Sequence, residues 1–420
     1  MKKTLLLSVM IAAVATLMAQ EQKEVMIGAS YMDEAYYSLD SGTIETVLRP
    51  TWDLGFTTSN FSASILANTA AGVEVYTYPA GDTADWAILD TTGMMWTPMY
   101  NSLETFDEGA FSANQTGHPD YGWGTYNMST HNLTGDSLYV IKTLNGTYKK
   151  LCIIMRGSMA NTWEFKYANL DGTEEQLVLL NSGDYNTKSF VYYSIDNNLV
   201  LDREPATARW DMLFTKYTGM ISMGPGAPVP YPVTGILTNE DHIFAQEVRA
   251  DGMVKSTSGI FEDTAFSTNI SIIGSDWKSF DMGTMSYEVD STIVYYLKKK
   301  FDETDSTYYK IYFTGFEMSM GLFTFMQEKM SLVSARSPEM IQMLEVYPNP
   351  ASNNLNVVFD QVGETSIQVI DMTGRSVYST IHSAGGFTNL SLDIAQLNPG
   401  LFFLKVSSGS RTGVIRFIKQ

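Results

Sequence analysis

The chain is poor in the residues on which most catalytic chemistry depends. It carries one cysteine and four histidines in 420 residues. A lone cysteine excludes an intrachain disulfide. Cys152 lies in the alternating run YKKLCIIM, where it reads as a small buried hydrophobe. A chain of this length can fold without disulfides because its cores are large enough. No GxSxG, HExxH, CxxC or P-loop spacing appears, so no enzyme is expected. Charge is also sparse: Asp, Glu, Lys and Arg make up 17%, and the net charge is −19 with no long acidic run. Such a spread charge serves solubility and argues against nucleic acid, whose phosphates demand a basic face. Long hydrophobic runs are absent but for one. Lys2 and Lys3 precede LLLSVMIAAVATLMA, a secretory signal over 1–19 with cleavage after Ala19. That run is too short to span a bilayer as a stable helix. No cysteine follows it to carry a lipid, and the protein is not expected to be an integral membrane protein.

The chain is rich instead in aromatic and apolar residues, at 12% and 44%. This composition suits a β-rich globular protein. The aromatics recur in order. WGTYNMST from Trp123 returns as WKSFDMGT from Trp277, with Met128 and Met282 at the same offset, and His131 standing opposite Met285. Upstream, TWDLGF (Trp52, Asp53) answers RWDMLF (Trp210, Asp211), and Tyr36-Tyr37-Ser38-Leu39-Asp40 answers Tyr192-Tyr193-Ser194-Ile195-Asp196. Ordered self-similarity of this kind is a tandem duplication. The copies are placed at 24–176 and 177–334, each an all-β domain with a minor helical admixture. IFAQEVRADG and FTFMQEKMSL are the helical candidates. Asn145-Gly146 between YVIKT and TYKKLCIIM signals a hairpin. Residues 80–121 read as a long irregular insertion of the sort that is functional or mobile. Asp53 and Asp211 each follow a Trp in a strand, where a structural hydrogen bond is the expected role. His242 and His382 read as solvated.

The ordered set WDLGF, WGTYNM, YVIKTLNGTYKK, repeated as WDMLF, WKSFDM, YYLKKK, resembles the HmuY-like family of all-β haem-binding proteins from Bacteroidetes-type bacteria. The resemblance implies haem held axially by His or Met side chains, ligands whose identity tunes the iron. Carried across by position, it makes Met128 and Met282 axial-ligand candidates, although methionine at a repeated position is also what a plain β-sheet core shows, and the core is the expected place for both. The second ligand would come from the preceding segment, which offers Met94, Met95 and Met99 in the first copy and Met253 in the second. His118 and His131 are the nearby alternatives.

A separate unit closes the chain. After a linker at 335–345, residues 346–420 alternate apolar residues between turn signals, as in a small Ig-like β-sandwich. Tyr347-Pro348-Asn349-Pro350, Asp371 with Gly374 and Arg375, and Pro399-Gly400 resemble the type A C-terminal sorting domain of the type IX secretion system. That resemblance implies export through the periplasm to the cell surface or medium, with the secretion machinery and a sortase-like peptidase as partners. Two functions are then open. One is capture of haem, free or from host haemoproteins, for iron acquisition. The other is a surface binding or adhesive module that keeps the scaffold without haem.

Overall fold

The computed structural model describes residues 20–222, 224–249, 265–302, 305–330, 339–340, 344–361, 363–372, 374–383, 386–408 and 411–420. The signal segment, Met253 and more than half of the linker lie outside them. The chain divides into two compact units, Met1–Ser331 and Leu332–Gln420. Among the described residues the structure is all-β. Its longest helical piece is the five-residue 3₁₀ turn Thr83–Ala87, and no helix is long and apolar enough to cross a membrane. Both helical candidates are strands. In Leu322–Met330 Phe323 and Phe325 point into the core, and in Ile243–Arg249 Ile243 and Ala245 do so. This is a period of two, and sheet pairing settled the short ambiguous pattern, with a strand on each side of Leu322–Met330 and one strand beside Ile243–Arg249.

The larger unit holds two sandwiches. The first packs a seven-stranded sheet on the four-stranded sheet Leu199–Leu201, Phe190–Ser194, Leu54–Thr57, Ile65–Ala67. The second packs the sheet Glu21–Met26, Leu322–Met330, Ser306–Glu317, Ile293–Lys300, Ile243–Arg249 on the sheet Val229–Thr238, Met212–Ile221, Asp33–Ser38, Gly42–Leu48. The repeats of the sequence and the sandwiches of the fold are therefore offset. The Tyr-Tyr-Ser strand of each repeat pairs with the Trp-Asp strand of the other: Tyr193 faces Leu54, and Tyr37 faces Met212. The first sandwich runs continuously through 54–201, finished by the opening strands of the second repeat. No third repeat comes after the second, so its sandwich is finished by the first strands of the chain, Glu21–Met26 pairing with Leu322–Met330.

Strand alternation explains why these motifs recur. In each tyrosine pair the second ring, Tyr37 or Tyr193, enters a core. The first packs edge-on against a tryptophan, Tyr36 on Trp210 at 5.3 Å and Tyr192 on Trp52 at 4.8 Å. The aspartates turn the other way. Asp53 accepts from the amides of Leu144 (3.0 Å) and Ile195 (2.7 Å), and Asp211 from the amide of Leu39 (2.7 Å). A third repeated polar residue has no obvious sequence signal. Asn68 donates to the carbonyls of Trp52 and Arg49 (3.0 Å each), and Asn239 to those of Trp210 and Thr207 (2.9 Å each).

The Asn145-Gly146 turn closes the expected hairpin, with Gly146 at φ 87°. The 80–121 insertion divides: Leu89 joins Tyr78, Leu138, Val140 and Cys152 on the outer face of the seven-stranded sheet, while Met99, Ala110 and Phe111 enter the inner core. Cys152 is buried as expected, and burial pushes its thiol up to about 11. The smaller unit pairs a five-stranded with a three-stranded sheet around Leu355, Val357, Phe359, Ile367, Leu404 and Phe417.

Candidate functional site

One end of the first sandwich is built on Trp123. This ring is fully buried, stacks at a tilt on Trp163 at 5.4 Å, and donates its Nε1 hydrogen to the Ala63 carbonyl at 2.9 Å. From that anchor Gly124–Tyr126 and Leu133–Gly135 run out as a short hairpin. Asn127 closes its tip by accepting from the amides of Ser129 (2.8 Å) and Thr130 (3.2 Å), while His131 takes a left-handed φ of 59°. The second sandwich repeats the device. Asp281 accepts from the Gly283 amide (2.8 Å) and the Thr284 hydroxyl (2.9 Å), and Met285 has φ 53°. The recurrence of Asn or Asp and Thr after each Trp is thus turn chemistry.

Met128 and Met282 sit on these tips, 75% and 82% exposed. This overturns the reading of them as core methionines: the turn carries them beyond the sheets. Met95 is 95% exposed on the insertion, beside Trp96 in a separate cleft with Tyr76 and Tyr148. Met94 is partly buried over the outer sheet face, and Met99 is buried beside Thr77, whose hydroxyl lies 3.2 Å from its sulfur. His242 is not solvated. Its Nε2 lies 2.8 Å from Asp211 Oδ1 in a largely buried setting. His382 lies half-exposed on the edge strand Ser376–Ser383.

His131 is placed differently. It shares a cleft of about 500 Å³ with His118, Tyr121, Tyr126, Met159 and Phe61. Two of the four histidines of the chain thus meet at one site, although they belong to segments 13 residues apart with Trp123 between. Tyr126 Oη and His131 Nδ1 lie 2.6 Å apart, and the His118 ring stands 5.4 Å from the Tyr126 ring. If the phenol donates to Nδ1, its oxygen gains phenolate character. If Nδ1 carries the proton, the other ring nitrogen is free to bind. Phe61 is fully exposed and Met159 is 81% exposed, so apolar walls meet solvent at the mouth. The same end of the second sandwich has Phe280 in place of Tyr126 and Met285 in place of His131, and so lacks the pair. Tyr126 carries no sequence signal of its own because its counterpart is Phe280, and only the fold brings it onto His131.

In the smaller unit the motif residues close turns. Asn349 accepts from the Ile418 amide (2.9 Å), and Arg375 bonds back to Asp371 through its amide (3.1 Å) and Nε (3.3 Å). Gly374 has φ 82°, its amide reaching the Asp371 carbonyl at 3.0 Å. Pro399 and Gly400 lead into the strand Gly400–Ser408, and the Tyr347 hydroxyl accepts from Asn389 at 2.8 Å.

Residues 345–420 match the family described as the secretion system C-terminal sorting domain. No curated protein matches the chain. The resemblance of the repeats to the haem-binding family finds no support in these comparisons. The terminal match and its sandwich make this chain a protein that the type IX secretion system exports to the cell surface or the extracellular space.

Proposed function

We propose that the two-sandwich body is a capture module, and that the end cleft of the first sandwich takes haem. The observation that carries this reading is the Tyr126–His131 pair beside His118 in a cleft walled by exposed Phe61 and Met159. The donor set fits the group. Haem iron accepts a phenolate oxygen or an imidazole nitrogen axially, and an apolar rim suits a flat macrocycle. Tyr126 and His118 are the residues that would hold it, with His131 taking the Tyr126 proton and so strengthening the phenolate. Met128, Met282 and Met95, exposed on separate tips and loops, have no part in this arrangement. The sorting domain would be removed in the linker by a sortase-like peptidase during export, leaving the body released or surface-attached.

Haemin titration of the mature chain tests this. A saturable Soret shift with a Kd of about 1 μM or tighter is expected. It should be lost in Tyr126→Phe and weakened in His118→Ala and His131→Ala, with Met128→Ala and Met282→Ala unchanged. A spectrum that stays that of free haemin would overturn it. The exposed Phe61 and Met159 would then favour the second reading, a surface module for a protein or glycan partner.

A further inference from the structure

The sorting unit is charged differently from the rest of the chain, and its two outer faces differ from each other. Residues 346–420 hold five Lys and Arg against four Asp and Glu, where the whole chain holds 27 against 46. Strand alternation divides the side chains of the five-stranded sheet. Phe402, Leu404, Val406 and Phe417 enter the core, so Leu401, Phe403, Lys405, Val414, Arg416 and Ile418 lie on the outer face. The register makes these six neighbours. Leu401 stands opposite Ile418, Phe403 opposite Arg416 and Lys405 opposite Val414, on the adjacent strands Gly400–Ser408 and Arg411–Lys419. On the other side Glu364–Asp371 sets Ile370 beside Phe403 and Gln368 beside Lys405. Val414 and Ile418 are 59% and 48% exposed, and Leu401 is 36% exposed. An apolar stripe thus crosses three strands with two cations set into it. Lys405 and Arg416 have no ion pair among the described residues, the pair in this unit being Arg375 with Asp371. Glu364 shares the face but stands at the start of its strand, four residues from Gln368.

The three-stranded sheet has the opposite character. Leu344, Val346, Leu390 and Leu392 turn inward, which leaves Glu345, Asn389, Ser391 and Asp393 exposed outside, with Tyr347 and Phe387 at strand ends. One face of the sandwich is therefore polar and acidic, the other apolar and basic. Exposed apolar stripes mark interaction sites. The cations state what the partner must offer, because a cation covered without a carboxylate is costly and a matched pair fixes register. Anionic lipid surfaces are held by clusters of about four or more cations, and this face has two. We propose that the outer face of the five-stranded sheet is where the sorting unit docks on the secretion machinery, against an apolar protein surface bordered by carboxylates. Leu401, Phe403 and Ile418 pack on the apolar part, and Lys405 and Arg416 meet the carboxylates. The opposite sheet stays in solvent. This surface is separate from the end cleft and does not depend on the haem reading.

The test is made on the full chain in a bacterium that carries this secretion system. A photo-crosslinking residue replaces Gln368, beside Lys405, or Ser391, on the opposite sheet. Adducts with an identified component of the secretion machinery are expected from the first position and not from the second. Lys405→Glu/Arg416→Glu and Leu401→Ser/Ile418→Ser should each lower the secreted fraction about tenfold, with uncut precursor retained in the cell. Asn356→Glu/Ser391→Glu, on the opposite sheet, should be exported as the parent is. The purified full-length variants should keep the parental circular dichroism spectrum and Tm, which separates lost docking from lost folding. Export of the face variants at the parental level, an equal loss from the opposite-sheet variant, or equal adducts from both positions would overturn the docking face. Adducts with lipid alone would overturn the protein partner.

Discussion

Asp53 and Asp211 occupy the same place in twin sandwiches and yet sit in opposite electrostatic environments. Burial raises the Asp53 carboxyl to about 6, because its partners are backbone amides and not cations. Burial also works against ionised Asp211, but His242 and Lys299 (2.9 Å) outweigh it and hold that carboxyl below the usual range. The sequence difference is small. Lys299 stands where the first copy has Thr143, and His242 where it has Ala71. A second contrast concerns buried cations. Arg156 lies fully buried against Trp163, bonded to Ser182 (2.9 Å), the Ser59 carbonyl (2.8 Å), Asn161 (2.6 Å) and the Thr162 carbonyl (3.3 Å). Lys278 in the second sandwich lies over Trp277 (4.3 Å) and Phe316 (4.8 Å) with one hydrogen bond, to the Thr234 carbonyl at 2.6 Å. The first copy has Gly124 at that position, where a Cβ would meet the Thr134 carbonyl oxygen at 2.5 Å. A duplicated scaffold thus keeps its hydrogen-bond geometry while each copy balances charge in its own way.

The largest expected effect comes from breaking the ion pair of the second sandwich. Lys299→Met takes the lysine cation from buried Asp211, leaving it His242 and the Leu39 amide, and should cost about 3 kcal/mol in chemical denaturation. Asp53→Asn, which removes a carboxylate that has no cation, should cost less than about 2 kcal/mol. Comparable losses would dissolve the contrast.

The pH dependence sharpens it. Asp53 has a folded value above the unfolded one, so its contribution to stability rises as pH falls from above 6 to below 3.8, by about 3 kcal/mol in all. Asp211 has a depressed folded value, so its contribution is complete above 3.8 and is lost as pH falls through the folded value. In acid unfolding series, Asp53→Asn should therefore become more destabilising towards pH 4. Asp211→Asn should become less so below that. Parallel profiles would sink the assignment.

The cations should respond with opposite signs. Removing Arg156 as Arg156→Met leaves several buried acceptors empty and should cost about 1–3 kcal/mol. Burial holds Lys278 down to about 7, so the folded state disfavours its charged form. That penalty is complete below pH 7 and vanishes above the unfolded value near 10.5. Lys278→Met should stabilise the protein by about 1–4 kcal/mol at pH 6 and by less at pH 10. The smallest effect is expected at the hairpin tips. Met128→Ala and Met282→Ala should each shift stability by less than about 0.5 kcal/mol, as measured by Tm, because both side chains lie in solvent.

Much of the scaffold could be read from residue order. The duplication, the Asn145-Gly146 hairpin, the buried Cys152 and the sorting unit all rest on local signals, namely periodicity, turn residues and motif spacing. The helical candidates failed because short apolar runs fit both periods until neighbouring strands choose one. The repeated methionines misled for a related reason. Their recurrence came from the turn beside them, closed by Asn127 and Asp281, and similarity alone does not separate a side chain that packs from one that is carried along.

Composition and pattern by themselves determined that this is an exported, disulfide-free, all-β chain of two related copies and a sorting unit, since each of these rests on local chemistry. Only the tertiary structure decided which strands complete which sandwich. Each Tyr-Tyr-Ser strand pairs with the Trp-Asp strand of the other repeat, a partner that the motif itself does not specify. Tertiary structure likewise closed one cleft around His118, Tyr126 and His131. These three are near one another in the chain, but Phe61 and Met159, which wall the cleft, come from distant segments whose meeting with them depends on long-range sheet pairing.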